Sequence, residues 1–453
     1  MTSHAACLND LPELTISDLI ASHPNLSMHA MDGLLMDGVP LNAVADALGT
    51  PTWVLSVPTL RARYRAMTHA LSQAGLDAHV HYAVKANDHL AVLRLLGAEG
   101  SGADVVSEGE LRRARLAGIA PDNIVFSGVG KTVAELGFAL SEGISQINVE
   151  SAEELDILSA VASAAGRMAQ VALRVNPDVD AGTHAKISTG RVGDKFGIAY
   201  ADIPALYARA ARLPGIRPVG LAVHIGSQIL SVSPYRAAYA RIAELVRTLR
   251  ASGLTVESVD CGGGLGIGYA DEPGGNPAAL AGAIRASLHN MGLRLMVEPG
   301  RWLVGPAGVL LASVVLEKRV GDPVAGSRFV VLDAAMNDLI RPAMYDAFHG
   351  IVPLSAVDAR RPAGRADVVG PVCESGDTFA RDRLLPPLAA GARIAILDAG
   401  AYGAVMSSTY NARPLAAQAM LDPSAGPHGF AVIRERQKLE ALWAGEIVPD
   451  WLK

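Results

Sequence analysis

Eight short apolar runs alternate with amphipathic helical patterns across residues 78–300, and this alternation restricts the fold more than any other feature of the chain. The runs fall at 81–85, 103–107, 124–128, 146–150, 171–175, 220–225, 256–261 and 294–298. The helical patterns lie between them at 89–98, 108–117, 134–142, 152–164, 203–212, 235–251 and 277–291. Several open on capping or acidic residues, such as Ser107 before Glu108 and Ser151 before Glu153. Runs that are apolar throughout are strands buried on both faces, and strands joined by helices run parallel. A doubly wound open sheet shares these traits but as a rule has fewer strands. Eight βα units over roughly 200–250 residues are the size of a TIM barrel. The expected fold is therefore an α/β (β/α)8 barrel.

The rest of the chain reads differently. β-rich runs at 309–316, 329–332, 366–369 and 393–397 are separated by Pro, Gly and Asp clusters, and only 435–444 reads as a longer helix. This text predicts a second, mainly antiparallel β domain, a sandwich or barrel. Residues 28–57 have hairpin-like text that would join it. The expected division is an N-terminal extension at 1–27 without a clear pattern, the joining segment 28–57, the barrel at 58–305 and the β domain at 306–453.

Half the residues are hydrophobic and 19% are charged, which supplies material for large cores. The net charge is −6 with no long run of like charges, which argues against a nucleic-acid binder. Cys7, Cys261 and Cys373 form no CxxC pair, which excludes a disulfide scaffold and a thiolate zinc site and fits a reducing compartment. The most apolar stretch, 302–316, is interrupted by Gly305, Pro306 and Gly308 and is too short to span a bilayer. No secretory signal is evident, so the expected location is cytoplasmic, with no membrane partner and no bound metal.

In such barrels chemistry sits at the C-terminal ends of the strands. There the sequence places Lys85, Arg174, His224 with Ser227, the glycines 262–264, and Glu298 followed by Gly300 and Arg301. Singly, each has an ordinary reading: a lysine reaching for solvent, a hydrogen-bonded core histidine, a tight turn, a structural ion pair. Together they have one chemical reading. A desolvated lysine can form a Schiff base with a carbonyl cofactor, backbone N–H groups of a glycine run can bind phosphate, and a buried acid can hold a pyridine ring protonated.

These motifs resemble the alanine-racemase-like pyridoxal-phosphate enzymes and, within them, the diaminopimelate decarboxylases. The resemblance runs from about residue 28 to the C-terminus. It is carried by Tyr82-Ala83-Val84-Lys85-Ala86-Asn87, Gly102-Ala103-Asp104-Val105-Val106-Ser107, the segment 184–190 with Lys195-Phe196-Gly197, and His224-Ile225-Gly226-Ser227-Gln228. It continues through Gly262-Gly263-Gly264, Glu298-Pro299-Gly300-Arg301, the segment 337–345, Cys373-Glu374-Ser375-Gly376-Asp377, Tyr402 and Asn411-Ala412-Arg413-Pro414. The resemblance implies pyridoxal 5'-phosphate held through Lys85, His224 stacked on the ring, and Ser227 with Gly262, Gly263 and Gly264 on the phosphate. Glu298 would face the pyridine nitrogen, with Gly300 and Arg301 beside the cofactor. Arg301, Arg341 and Tyr345 would hold the distal end of the substrate, and Tyr402 would lie against cofactor and substrate. Cys373, as proton donor, and Glu374 would reach the site from the other subunit of a homodimer. One departure is Glu108, where many relatives have glycine; it opens a helix and favours its dipole.

An acid at position 298 favours decarboxylation, because racemases of this fold place an arginine there and leave the ring neutral. Ornithine decarboxylases read a distal amine with acids, whereas Arg301 and Arg341 suit a carboxylate. The implied reaction is meso-2,6-diaminopimelate to L-lysine. The alternatives are a same-fold decarboxylase of another amino acid, such as a D-amino acid or a siderophore precursor, and a non-catalytic relative that binds the cofactor without turnover.

Overall fold

A computed structural model describes residues 14–180, 195–322 and 327–452. The expected motif residues 184–190 and Cys7 lie outside the described residues. The chain forms two compact units, one of residues 60–267 and 273–304, the other of 1–59, 268–272 and 305–453.

The first unit is a closed parallel barrel. Its strands are β1 (Ala78–Ala83), β2 (Gly102–Val105), β3 (Ile124–Phe126), β4 (Gln146–Val149), β5 (Ala169–Asn176), β6 (Ile216–Val223), β7 (Ser258–Asp260) and β8 (Arg294–Val297). They pair in sequence order, and β8 closes on β1 through Leu295 opposite Ala78 and Val297 opposite Val80. All eight expected runs are strands of this barrel, and the expected (β/α)8 architecture is what the chain adopts. The continuous apolar text has its cause here, since β2, β3 and β4 are buried at every position.

The helices start where the caps predict. The Ser107 and Ser151 side chains accept N–H groups of Glu110 and Glu154, and Thr132 and Glu135 form a reciprocal capping box. Glu108 opens the helix Glu108–Leu116 and pairs with Arg112 one turn on. The helix Val57–Gln73 is not among the expected ones. Its buried Leu60, Tyr64, Met67 and Leu71 nevertheless recur at spacings of three and four, a helical period that could be read from the sequence.

The other unit holds a small antiparallel sheet of Leu26–His29, Gly33–Met36 and Val39–Pro40 and a larger mixed sheet, mainly antiparallel. Its central strand Gly308–Val320 pairs antiparallel with Thr52–Ser56, Ser327–Leu332 and Arg393–Ile396. Two pairings are parallel, Ser327–Leu332 with Gly364–Val369 and Thr52–Ser56 with Ala417–Leu421. The apolar text at 302–316 is explained by alternation across this sheet. Leu310, Ala312 and Val314 enter one core with Trp53 and Phe379, while Val309 and Leu311 enter another with Leu34, Met36 and Val54.

Two expectations about the termini need correction. Residues 435–444 are not a long helix. They are exposed, with only the 3-10 turn Leu439–Leu442, and Leu439 and Trp443 are each about half exposed. Helix-forming residue types do not suffice where no core receives the apolar face. Within the extension called patternless, Thr15 and Asp18 form a capping box that starts the helix Ile16–Ala21, whose Ile16 and Leu19 are buried.

Candidate active site

In the barrel unit, residues at the C-terminal ends of the strands line a cavity of about 370 Å³. Lys85 enters from the 3-10 turn Val84–Ala86 that follows β1, and its Nζ lies 3.0 Å from Oδ2 of Asp104 on β2. Asp104 is fully buried, while the Lys85 side chain keeps about 33% of its exposure, so the amine is tethered to a buried carboxylate on a side chain that still reaches solvent. The other Asp104 oxygen, Oδ1, has no hydrogen-bond partner among the described residues.

Glu298 follows β8 and is buried. The Ser127 hydroxyl donates to its Oε1 at 3.4 Å, and Ser127 in turn accepts the Asn148 amide, which also donates to Asp260 at 2.9 Å. Burial first, then the neighbouring Asp104 and Asp260, push the Glu298 carboxyl well above its usual range, with Lys85 opposing. His224, at the end of β6, accepts the Gly263 N–H on Nδ1 at 3.2 Å. Burial, with the positive Arg174 and Lys85 nearby, holds it well below the usual histidine range, so the ring is neutral.

The glycines after β7 have a packing reason to be glycine. A Cβ on Gly263 would lie 2.0 Å from the Glu298 carbonyl oxygen, and one on Gly262, whose φ is +68°, would lie 2.1 Å from that of Val223. The Gly262 carbonyl accepts the Glu298 N–H at 2.8 Å. A Cβ on Gly300 would lie 3.0 Å from the Ala86 Cβ, so this glycine lets the turn after β8 pack against the turn that carries Lys85. Arg301 is buried and donates from Nη2 to Ser227 Oγ at 3.2 Å.

Glu110 lies just behind this cluster, where its Oε2 accepts the Val106 N–H at 2.9 Å. Burial pushes its carboxyl up to about 7 from 4.5, with Asp104 and Asp88 adding and Lys85 opposing. The folded state binds this proton more tightly than the unfolded chain. The group therefore costs stability as pH rises from about 4.5, in full above about 7. Glu110→Gln, which keeps an acceptor for Val106, is expected to stabilise the fold at pH 8 by about 3 kcal/mol at full effect, seen as a higher Tm, and by much less at pH 5. Thermal melts at the two pH values check this.

Arg341, Tyr345, Cys373, Glu374 and Tyr402 belong to the other unit. Arg341 is buried and starts the short helix Arg341–Tyr345. Cys373 and Glu374 lie exposed on a loop held by Asp377, whose carboxylate accepts the N–H groups of Val372 and Met336. The Cys373 N–H donates to Asn411 at 3.1 Å. Tyr402 has a left-handed backbone, φ 54°.

The structure thus gathers Lys85, His224, Ser227, Gly262, Gly263, Gly264, Glu298, Gly300 and Arg301 at one barrel mouth. Sequence reading assigned no role to Asp104, Ser127, Asn148 or Asp260. The signal existed for three of them: Asp104, Asn148 and Asp260 are polar residues inside runs that are otherwise largely apolar, which marks side chains turned into the barrel.

Residues 57–305 match the family model of the pyridoxal-dependent decarboxylase, pyridoxal binding domain. The chain is 46% identical over 422 residues to the diaminopimelate decarboxylase of Zymomonas mobilis, covering 92% of this chain and 98% of that one. This chain belongs to the diaminopimelate decarboxylases. A second member, from Pseudomonas aeruginosa, is 46% identical over 413 residues, covering 91% of this chain and 96% of its own. The crystal structure of the M. jannaschii diaminopimelate decarboxylase in complex with L-lysine superposes with a TM-score of 0.88 at 35% identity, covering 95% of this chain and 99% of that one. Pyridoxal phosphate is the cofactor of this family of decarboxylases.

Proposed function

We propose that the chain decarboxylates meso-2,6-diaminopimelate to L-lysine and carbon dioxide, the last step of lysine biosynthesis, and that it acts in the cytoplasm as a homodimer. The observation that carries the chemistry is the buried carboxyl of Glu298 in the same cavity as the Lys85 amine. The residues fit the cofactor: an amine for its aldehyde, an acid for its ring nitrogen, the neutral His224 for its face, and Ser227, Arg301 and the glycine turn for its phosphate. Asp104 holds the Lys85 amine in place. Bound pyridoxal phosphate supplies the electron sink for the carbanion left when carbon dioxide departs. Glu298 would face the ring nitrogen and favour its protonated form, and the chain from Asp260 through Asn148 and Ser127 holds Glu298.

Arg341 would capture the distal carboxylate. Cys373 would return a proton to the carbon from the second subunit, with Glu374 beside it; their exposure on this chain supports a role completed across a dimer. No helix among the described residues is long and apolar enough to cross a membrane. A substrate panel tests the assignment. Meso-diaminopimelate is expected to turn over, with ornithine, L-lysine and D-lysine lower by roughly 10⁴-fold. Comparable turnover of any of the three would move the substrate to another amino acid while keeping the fold and cofactor.

A further inference from the structure

The assignment of Arg341 to the distal carboxylate raises the question of what aims its guanidinium. We propose that His349 and Tyr269 are positioning residues that hold Arg341 ready for that carboxylate, His349 doing so as a neutral ring in one fixed tautomer. The inference rests on the reading of Arg341 given above.

A guanidinium can only donate, so the His349 Nε2, 2.8 Å from Arg341 Nη1, must accept. The proton of the ring is then on Nδ1, which donates to the Leu397 carbonyl at 2.7 Å. Both ring nitrogens are used, and a flip of the ring would lose both bonds. Tyr269, from the short segment 268–272 that belongs to this unit, places its ring 4.6 Å from the Arg341 Cζ. The same ring meets His349 edge-on, centroids 5.3 Å apart at 76°. Arg341 is therefore held at one nitrogen and across one face. His349 is fixed in turn, since Arg383 donates to its backbone carbonyl at 2.9 Å while stacking 3.9 Å from the Phe348 ring.

The choice of an imidazole has a chemical consequence. Holding a buried guanidinium with Asp or Glu would neutralise it, and the substrate's carboxylate would then compete with an internal one. A neutral ring orients the group by the logic that outer partners use to orient metal ligands, without itself adding a competing negative charge. His349 and Tyr269 thus act on specificity through Arg341 without touching the reacting carbon.

The test uses the holoenzyme and five variants. His349→Ala is expected to raise KM for meso-diaminopimelate and Kd for L-lysine about tenfold, with kcat within about twofold. Tyr269→Leu moves both in the same direction by less. Binding of 1,5-diaminopentane, the same carbon chain without a carboxylate, stays unchanged. His349→Gln, whose Oε1 can accept from Arg341, recovers much of the loss. His349→Glu raises KM about a hundredfold, because the new carboxylate pairs with Arg341. Cofactor absorbance confirms that each variant is folded. Unchanged KM and Kd in the alanine and glutamate variants, or a loss confined to kcat, would overturn the role of His349. Arg341→Lys separates the two readings. If it leaves KM unchanged, the assignment of Arg341 falls and the inference with it; if it raises KM while the His349 variants do not, only the inference falls.

Discussion

Lys85→Ala is expected to abolish the visible absorbance of the holoenzyme and to lower kcat/KM for meso-diaminopimelate by roughly 10³-fold or more. Lys131, another lysine near the barrel mouth, is spoken for: its Nζ donates to the Gly128 and Asn148 carbonyls and to Glu154, and its side chain is 1% exposed. Lys85 instead combines a buried carboxylate at 3.0 Å with a side chain about 33% exposed. The Asp104 carboxylate stays buried when Lys85 is removed, so a smaller loss of stability accompanies the loss of chemistry. Absorbance spectra with added pyridoxal phosphate and steady-state rates decide the matter. Retention of both would show that another lysine holds the cofactor.

Glu298→Gln is expected to lower kcat by about 10²–10³-fold with little change in KM. The amide fills the same space and can keep the Ser127 contact, but it lacks the acid that would hold the ring nitrogen protonated. The effect should therefore fall on the chemical step, where charge spreads into the ring, and little on binding. A kcat within threefold of the parent enzyme would mean that ring protonation contributes little here. An equal loss carried by KM would mean that Glu298 is a binding group.

The barrel was legible because its strands are buried on both faces, which forces runs of apolar residues without alternation, and because Ser107 and Ser151 mark helix starts. The end of the chain was less legible. Leu439 and Trp443 have helix-compatible spacing, but no core receives them, and this depends on contacts that no local pattern records. In the site, Lys85, His224, Glu298 and the glycine turn could be read from their places at strand ends. Asp104, Ser127, Asn148 and Asp260 could not be given roles in the same way. Their meaning lies in which strand neighbours which, and the link from Asp260 on β7 through Asn148 on β4 to Ser127 after β3 crosses the barrel interior. His349 is the extreme case, because its tautomer follows from Arg341 on one side and from the Leu397 carbonyl, 48 positions away, on the other.

The central claim is that the Lys85 and Glu298 cavity carries decarboxylation of meso-diaminopimelate. The most direct test incubates the holoenzyme with this substrate alone and measures carbon dioxide, L-lysine and the stereochemistry of the remaining diaminopimelate. The account predicts one carbon dioxide and one L-lysine for each substrate consumed, with the remainder still meso. Interconversion of the diaminopimelate stereoisomers without carbon dioxide would contradict it.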